Sequence, residues 1–207
     1  MATLALALAF SQPVPATTAV RILTLGDSLT AGYGLIEADS FPAQLQAALT
    51  ERGIDADVLN GGVSGDTTSA GRARLEWALS DQPDVVIVEL GANDGVRGID
   101  PELTRDNLAA ILETLRAKDV PVLLTAMYAP PNLGSEYSER FNAIYPELAK
   151  RYGVMLYPFF LDGVATEPAL NQRDGLHPNR DGVAVIVERI LPLVMRLIEQ
   201  LPPVPPN

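Results

Sequence analysis

A serine followed far downstream by a single histidine is the first feature of chemical interest in this chain. Ser28 lies in the tetrapeptide GDSL, Gly26 to Leu29, directly behind an apolar run. His177 lies in DGLHPN, Asp174 to Asn179, and is the one histidine of the sequence. A serine hydroxyl is a weak nucleophile until a base takes its proton. Any imidazole base for Ser28 must therefore be His177. Asp174 stands three residues before it, a spacing that lets a carboxylate meet the imidazole Nδ1–H in a turn. Two further glycine-flanked polar segments, SGDT at Ser64 to Thr67 and GANDG at Gly91 to Gly95, also follow apolar runs. Nucleophilic attack on a carbonyl needs donors for the oxyanion that forms. The candidates are the backbone N–H groups of Ser28 and Gly65 and the side-chain amide of Asn93. Glycine at 65 would let the main chain approach a substrate closely.

These segments need elements to hold them. Val20 to Leu25, Ala56 to Leu59, Asp84 to Leu90, Val120 to Ala126 and Val154 to Tyr157 read as strands. The third is apolar apart from Glu89, as expected of a strand covered on both faces. Helical stripes alternate with them. Phe41, Leu45, Ala48 and Leu49 share one face behind a Ser40 cap, with Pro42 in the first turn and Gly53 at the end. A second helix is expected over Thr68 to Leu79. Leu108, Ile111, Leu112 and Leu115 mark a third, and Phe141, Ile144, Tyr145 and Leu148 a fourth. Val183, Ile186, Val187, Ile190, Leu191, Val194, Leu197 and Ile198 make the longest stripe. Such alternation predicts an α/β fold, a three-layer α/β/α sandwich around a mainly parallel five-stranded sheet. Ligands of such sheets bind beyond the carboxyl ends of the strands, where the polar segments fall.

Composition narrows the classes. The 207 residues, 47% hydrophobic and 20% charged, fit a globular chain with one domain over residues 20–201. Residues 1–19 read as an N-terminal extension or signal-peptide remnant, and 202–207 as a proline-rich tail. With no cysteine, thiolate metal sites, Cys nucleophiles and disulfides are excluded. Asp66 has no companions for a metal cluster, so no metal is assigned, and the chemistry requires no cofactor. The net charge of −11 disfavours a nucleic-acid partner. There is no apolar run long enough for a transmembrane segment. Thr3 to Phe10 is a short apolar block followed by small residues, which points to export to the periplasm or outside the cell, with the cytoplasm as alternative.

The four segments, in order, resemble the four sequence blocks of the SGNH hydrolases, or GDSL lipases and esterases. The strings LGDSLTAGYG, NGGVSGDTT, ELGANDGVRG and DGLHPN are closest to the TesA-like bacterial arylesterase, thioesterase and lysophospholipase branch. The likeness runs from about Val20 to the final helix. It implies a flavodoxin-like SGNH fold with Ser28, Asp174 and His177 as catalytic residues and Ser28, Gly65 and Asn93 as the oxyanion hole. It also implies that the segment from Met127, Tyr128, Ala129 and Pro130 to Tyr137 binds substrate. The expected activity is hydrolysis of a small carboxylic ester, short-chain or aryl, through an acyl-serine. Thioesters and lysophospholipids, and hence a lipid partner, are alternatives on the same site. A flavodoxin-like nucleotide or flavin binder is the rival from another class, disfavoured by the absence of a G-x-x-x-x-G-K-[ST] loop. Asp27 and Asp94 are expected to brace their turns rather than react.

Overall fold

The computed structural model describes residues 19–202. Five strands, β1 (Val20–Gly26), β2 (Ala56–Gly62), β3 (Val85–Glu89), β4 (Val122–Thr125) and β5 (Met155–Tyr157), form one sheet in the order β2-β1-β3-β4-β5. Every pairing is parallel. Parallel neighbours need crossover connections, and helices supply them. They are α1 (Ser28–Ala31), α2 (Phe41–Glu51), α3 (Thr68–Ala73), α4 (Leu75–Ala78), α5 (Ala92–Val96), α6 (Pro101–Ala117), α7 (Ser135–Asn142), α8 (Ile144–Tyr152) and α9 (Arg180–Ile198). One layer packs α2 against α9, and the other packs α3 and α8 against α6. All five residues of β3 are buried between these layers, which accounts for its apolar run. The expected α/β/α sandwich is the observed one, with the sheet parallel throughout.

The sheet order decides where a ligand fits. The chain leaves β1 toward β2 on one side and then returns to β3 on the other, so the direction of winding reverses between β1 and β3. A crevice opens at such a switch point, outside the strand ends. GDSL leaves β1 there, SGDT follows β2, and GANDG leaves β3.

Local chemistry sets the helix ends. The Ser40 hydroxyl accepts from the Ala43 N–H, and Gly53 takes a left-handed conformation (φ 72°) beyond the end of α2. Asn179 caps α9 by accepting from the Gly182 N–H at 3.0 Å, anchoring the segment just after His177. Two expected helices are divided. The stretch from Thr68 is interrupted at Arg74 and ends in a 3-10 turn, Leu79–Asp81. The stripe through Phe141 and Leu148 is broken at Ala143. Pro146 lacks the N–H that would bond the Asn142 carbonyl, so an unbroken helix would leave that group unpaired.

The end of β2 comes very close to α1. A Cβ on Gly62 would lie 2.3 Å from the Ala31 nitrogen, which is backbone and cannot swing aside. Replacing Gly62 by Ala should therefore push α1 outward and lower stability by about 1–3 kcal/mol in a denaturant titration. A variant as stable as the parent would contradict this packing.

Candidate active site

The turn at the end of β1 presents Ser28 with its hydroxyl unencumbered. A serine in this place could have served merely to cap α1, but Asp27 takes that task. Its Oδ1 accepts from the Leu29 N–H at 3.0 Å. Ser28 Oγ instead lies 3.0 Å from His177 Nε2, across 149 residues of sequence. His177 Nδ1 lies 2.7 Å from Asp174 Oδ2. With Nδ1–H donated to that carboxylate, Nε2 is left as the acceptor for the Ser28 O–H. Asp174 Oδ1 accepts from the backbone N–H groups of Leu176 and His177 at 2.9 and 3.0 Å. Those two donors, followed by the imidazole, pull the Asp174 carboxyl down to about 2, so it is charged throughout the useful pH range.

The expected oxyanion donors gather at the same place with one complication. Among the described residues, neither the Ser28 N–H nor the Gly65 N–H meets an acceptor. Gly65 has φ 86°, a left-handed conformation that a side chain would strain. The Asn93 amide, by contrast, already donates to Asp27 Oδ2 and to the Asp66 carbonyl, both at 3.0 Å. Its two N–H bonds are thus engaged. Asp66 is paired with Arg74 at 2.6 Å, and Arg74 also donates to the Gly26 carbonyl at 2.9 Å. The guanidinium so ties the SGDT loop to the end of β1.

Beneath Ser28 lie two carboxyl groups that no solvent reaches. Glu89 Oε2 accepts from Thr30 Oγ1 at 2.8 Å and from the Asp27 N–H at 3.3 Å, gripping the turn on either side of Ser28. A Cβ on Gly26 would meet the same Oε2 at 2.6 Å. Burial, and then the neighbouring Asp27, push the Glu89 carboxyl well above the usual range, toward its neutral form. Asp27 is raised to about 6, chiefly by burial, against the lowering effect of its bonds from the Leu29 N–H and Asn93. Asp94 does what was expected of it. It accepts from the Thr68 N–H and hydroxyl and from Thr104, bracing the GANDG loop.

The segment after β4 divides. Met127 is buried in the core, whereas Tyr128 is half exposed and stacks on Phe159 with centroids 4.5 Å apart. The Ala129 N–H donates to Asn142 at 2.9 Å, and the Pro130 carbonyl accepts from the Leu133 N–H at 3.3 Å. The apolar block at Thr3 to Phe10 lies outside the described residues. No helix among the described residues is long and apolar enough to cross a membrane.

The model of the GDSL-like lipase/acylhydrolase family matches residues 24–185, which span all four segments. The chain belongs to this family. This GDSL hydrolase is 42% identical to an arylesterase of Vibrio mimicus, over 89% of its own length and 93% of the relative's. It is equally identical to thioesterase 1/protease 1/lysophospholipase L1 of Escherichia coli K12, over 84% of its length and 82% of that protein's. Among solved structures it resembles the SGNH-hydrolase family esterase AlinE4 (47% identity, TM-score 0.74, covering 87% of this chain and 97% of the other). It also resembles TesA (38% identity, TM-score 0.81, covering 86% and 99%).

Burying Asp27 in its charged form opposes folding. Because its folded-state pKa is raised, the associated stability is full below the unfolded value near 3.8 and is lost as pH rises through about 6. Asp27→Asn keeps one acceptor oxygen and so loses one of the two bonds from the Leu29 N–H and the Asn93 amide at every pH, but between pH 4 and pH 8 the parent should lose about 1–3 kcal/mol of stability relative to it, since one pKa unit corresponds to roughly 1.4 kcal/mol. A pH-independent difference in denaturation free energy would contradict the buried charge.

Proposed function

We propose that this GDSL hydrolase cleaves carboxylic esters, short-chain or aryl, through an acyl intermediate on Ser28. The observation that carries the reading is the relay of Asp174, His177 and Ser28, at 2.7 and 3.0 Å, beside two N–H groups without acceptors. As Ser28 Oγ bonds to the carbonyl carbon, its proton passes to His177 Nε2. The charged Asp174 stabilises the imidazolium. Negative charge on the carbonyl oxygen is met by the N–H groups of Ser28 and Gly65. For Asn93 to join them, one amide N–H must leave or share the Asp66 carbonyl, while the bond to Asp27 keeps the amide aimed. His177 then gives its proton to the leaving oxygen as the C–O bond breaks. Water, deprotonated by the same nitrogen, releases the acid and restores Ser28.

The kinship with an arylesterase supports aryl and short esters as substrates. The Escherichia coli relative's name supports thioesters and lysophospholipids as alternatives on the same residues. A series of nitrophenyl esters of increasing acyl length, assayed beside an acyl-CoA, separates the readings. The apolar block at residues 3–10 supports a periplasmic or secreted enzyme.

Ser28→Ala and His177→Ala should each lower kcat/KM for p-nitrophenyl acetate by about 10⁴-fold or more. Asn93→Ala should cost about 10²–10³-fold. Thermal melting of the first two should stay near the parent's. Near-native turnover by either well-folded variant would overturn the mechanism.

A further inference from the structure

His177 has a neighbour that the relay does not use. The Tyr33 ring lies against the imidazole, with centroids 4.7 Å apart and planes inclined by 40°, yet the residue is 54% exposed. Its backbone is fixed at both ends. The Tyr33 N–H donates to the Ser28 carbonyl at 3.1 Å, and its own carbonyl accepts from Gln172 Nε2 at 2.7 Å. The same Nε2 reaches the Pro178 carbonyl at 3.0 Å, and the Gln172 backbone N–H donates to the His177 carbonyl at 2.8 Å. Gln172 thus fastens the histidine loop to the segment that follows Ser28. A side chain at Gly34 would have to displace this amide, since a Cβ there would lie 2.2 Å from Gln172 Oε1. Leu176, directly before His177, adds a second large exposed apolar side chain at this edge.

This edge has a definite place in ester cleavage. His177 Nε2 must deliver its proton to the oxygen that departs, so the alcohol half of the ester leaves alongside the imidazole. A group that flanks the imidazole is thereby placed next to the departing alcohol. We propose that Tyr33 is a specificity-determining residue whose exposed ring binds the leaving group and favours aryl alcohols over alkyl ones. The inference rests on the esterase reading and adds to it the half of the substrate that is selected. Ring against ring contributes only modestly beyond simple burial, so the expected discrimination is about threefold to tenfold.

Phenyl acetate and hexafluoroisopropyl acetate test it, because their alcohols are comparably acidic and both yield the same acetyl-enzyme. The ratio of their kcat/KM values then reports leaving-group recognition alone. Tyr33→Leu should lower the phenyl-to-alkyl ratio about threefold to tenfold, and Tyr33→Phe should keep the parent's ratio. A ratio unchanged in Tyr33→Leu would overturn the proposal. In the unsubstituted protein, phenol should inhibit phenyl acetate turnover at lower concentration than cyclohexanol does, and equal inhibition would also overturn it. If the unsubstituted protein cleaved neither acetate, the esterase reading itself would fall and the subsite with it.

Discussion

One contact, 3.0 Å between the Ser28 hydroxyl and the His177 imidazole, joins two segments 149 residues apart, and much of the molecule serves to hold it. The parallel sheet delivers Ser28 at the switch point between β1 and β3. The long helix α9, capped by Asn179, anchors the loop that delivers His177. Neither element knows of the other locally. Gln172 and the backbone of Tyr33 complete the join, converting two independent loops into one hydrogen-bonded frame.

The frame is supported from below by groups that cost stability. A buried carboxyl at Glu89, with one oxygen lacking a partner, and a second at Asp27 oppose folding through desolvation. Glu89 holds the turn that carries Ser28, and Asp27 holds the same turn and the Asn93 amide. Apolar residues of similar volume would fold more readily and could not orient these donors. Buried carboxyl groups with perturbed pKa values gathered beneath a reactive side chain are a usual mark of a functional site. Arg74 extends the frame sideways, joining the end of β1 to the SGDT loop.

Much of this was legible in the sequence, and the limits have physical causes. The strands announce themselves because a sheet covered on both faces demands unbroken apolar runs, and β3 is the clearest case. Ser28, Gly65, Asn93, Asp174 and His177 stand out as candidates because each lies in a short polar segment behind a strand or before a helix. Arg74, Tyr33 and Gln172 give no such signal, since their partners are remote in sequence and leave no local period. Glu89 was visible only as the one polar residue in an apolar run; that exception was the available signal of a buried functional contact. The double engagement of the Asn93 amide depends on two carbonyl and carboxyl oxygens from separate loops, which spacing does not encode. The divided helices are a different matter. Pro146 was a readable warning that the stripe through Phe141 could not continue unbroken.

Whether the histidine activates this particular serine can be tested with a fluorophosphonate probe, without reference to any substrate. Peptide mapping by mass spectrometry should find the phosphonyl group on Ser28, and stopped-flow labelling should slow by about 10³-fold or more in the His177→Ala variant. An adduct on another residue, or labelling of Ser28 at an undiminished rate without the imidazole, would contradict activation of Ser28 by His177.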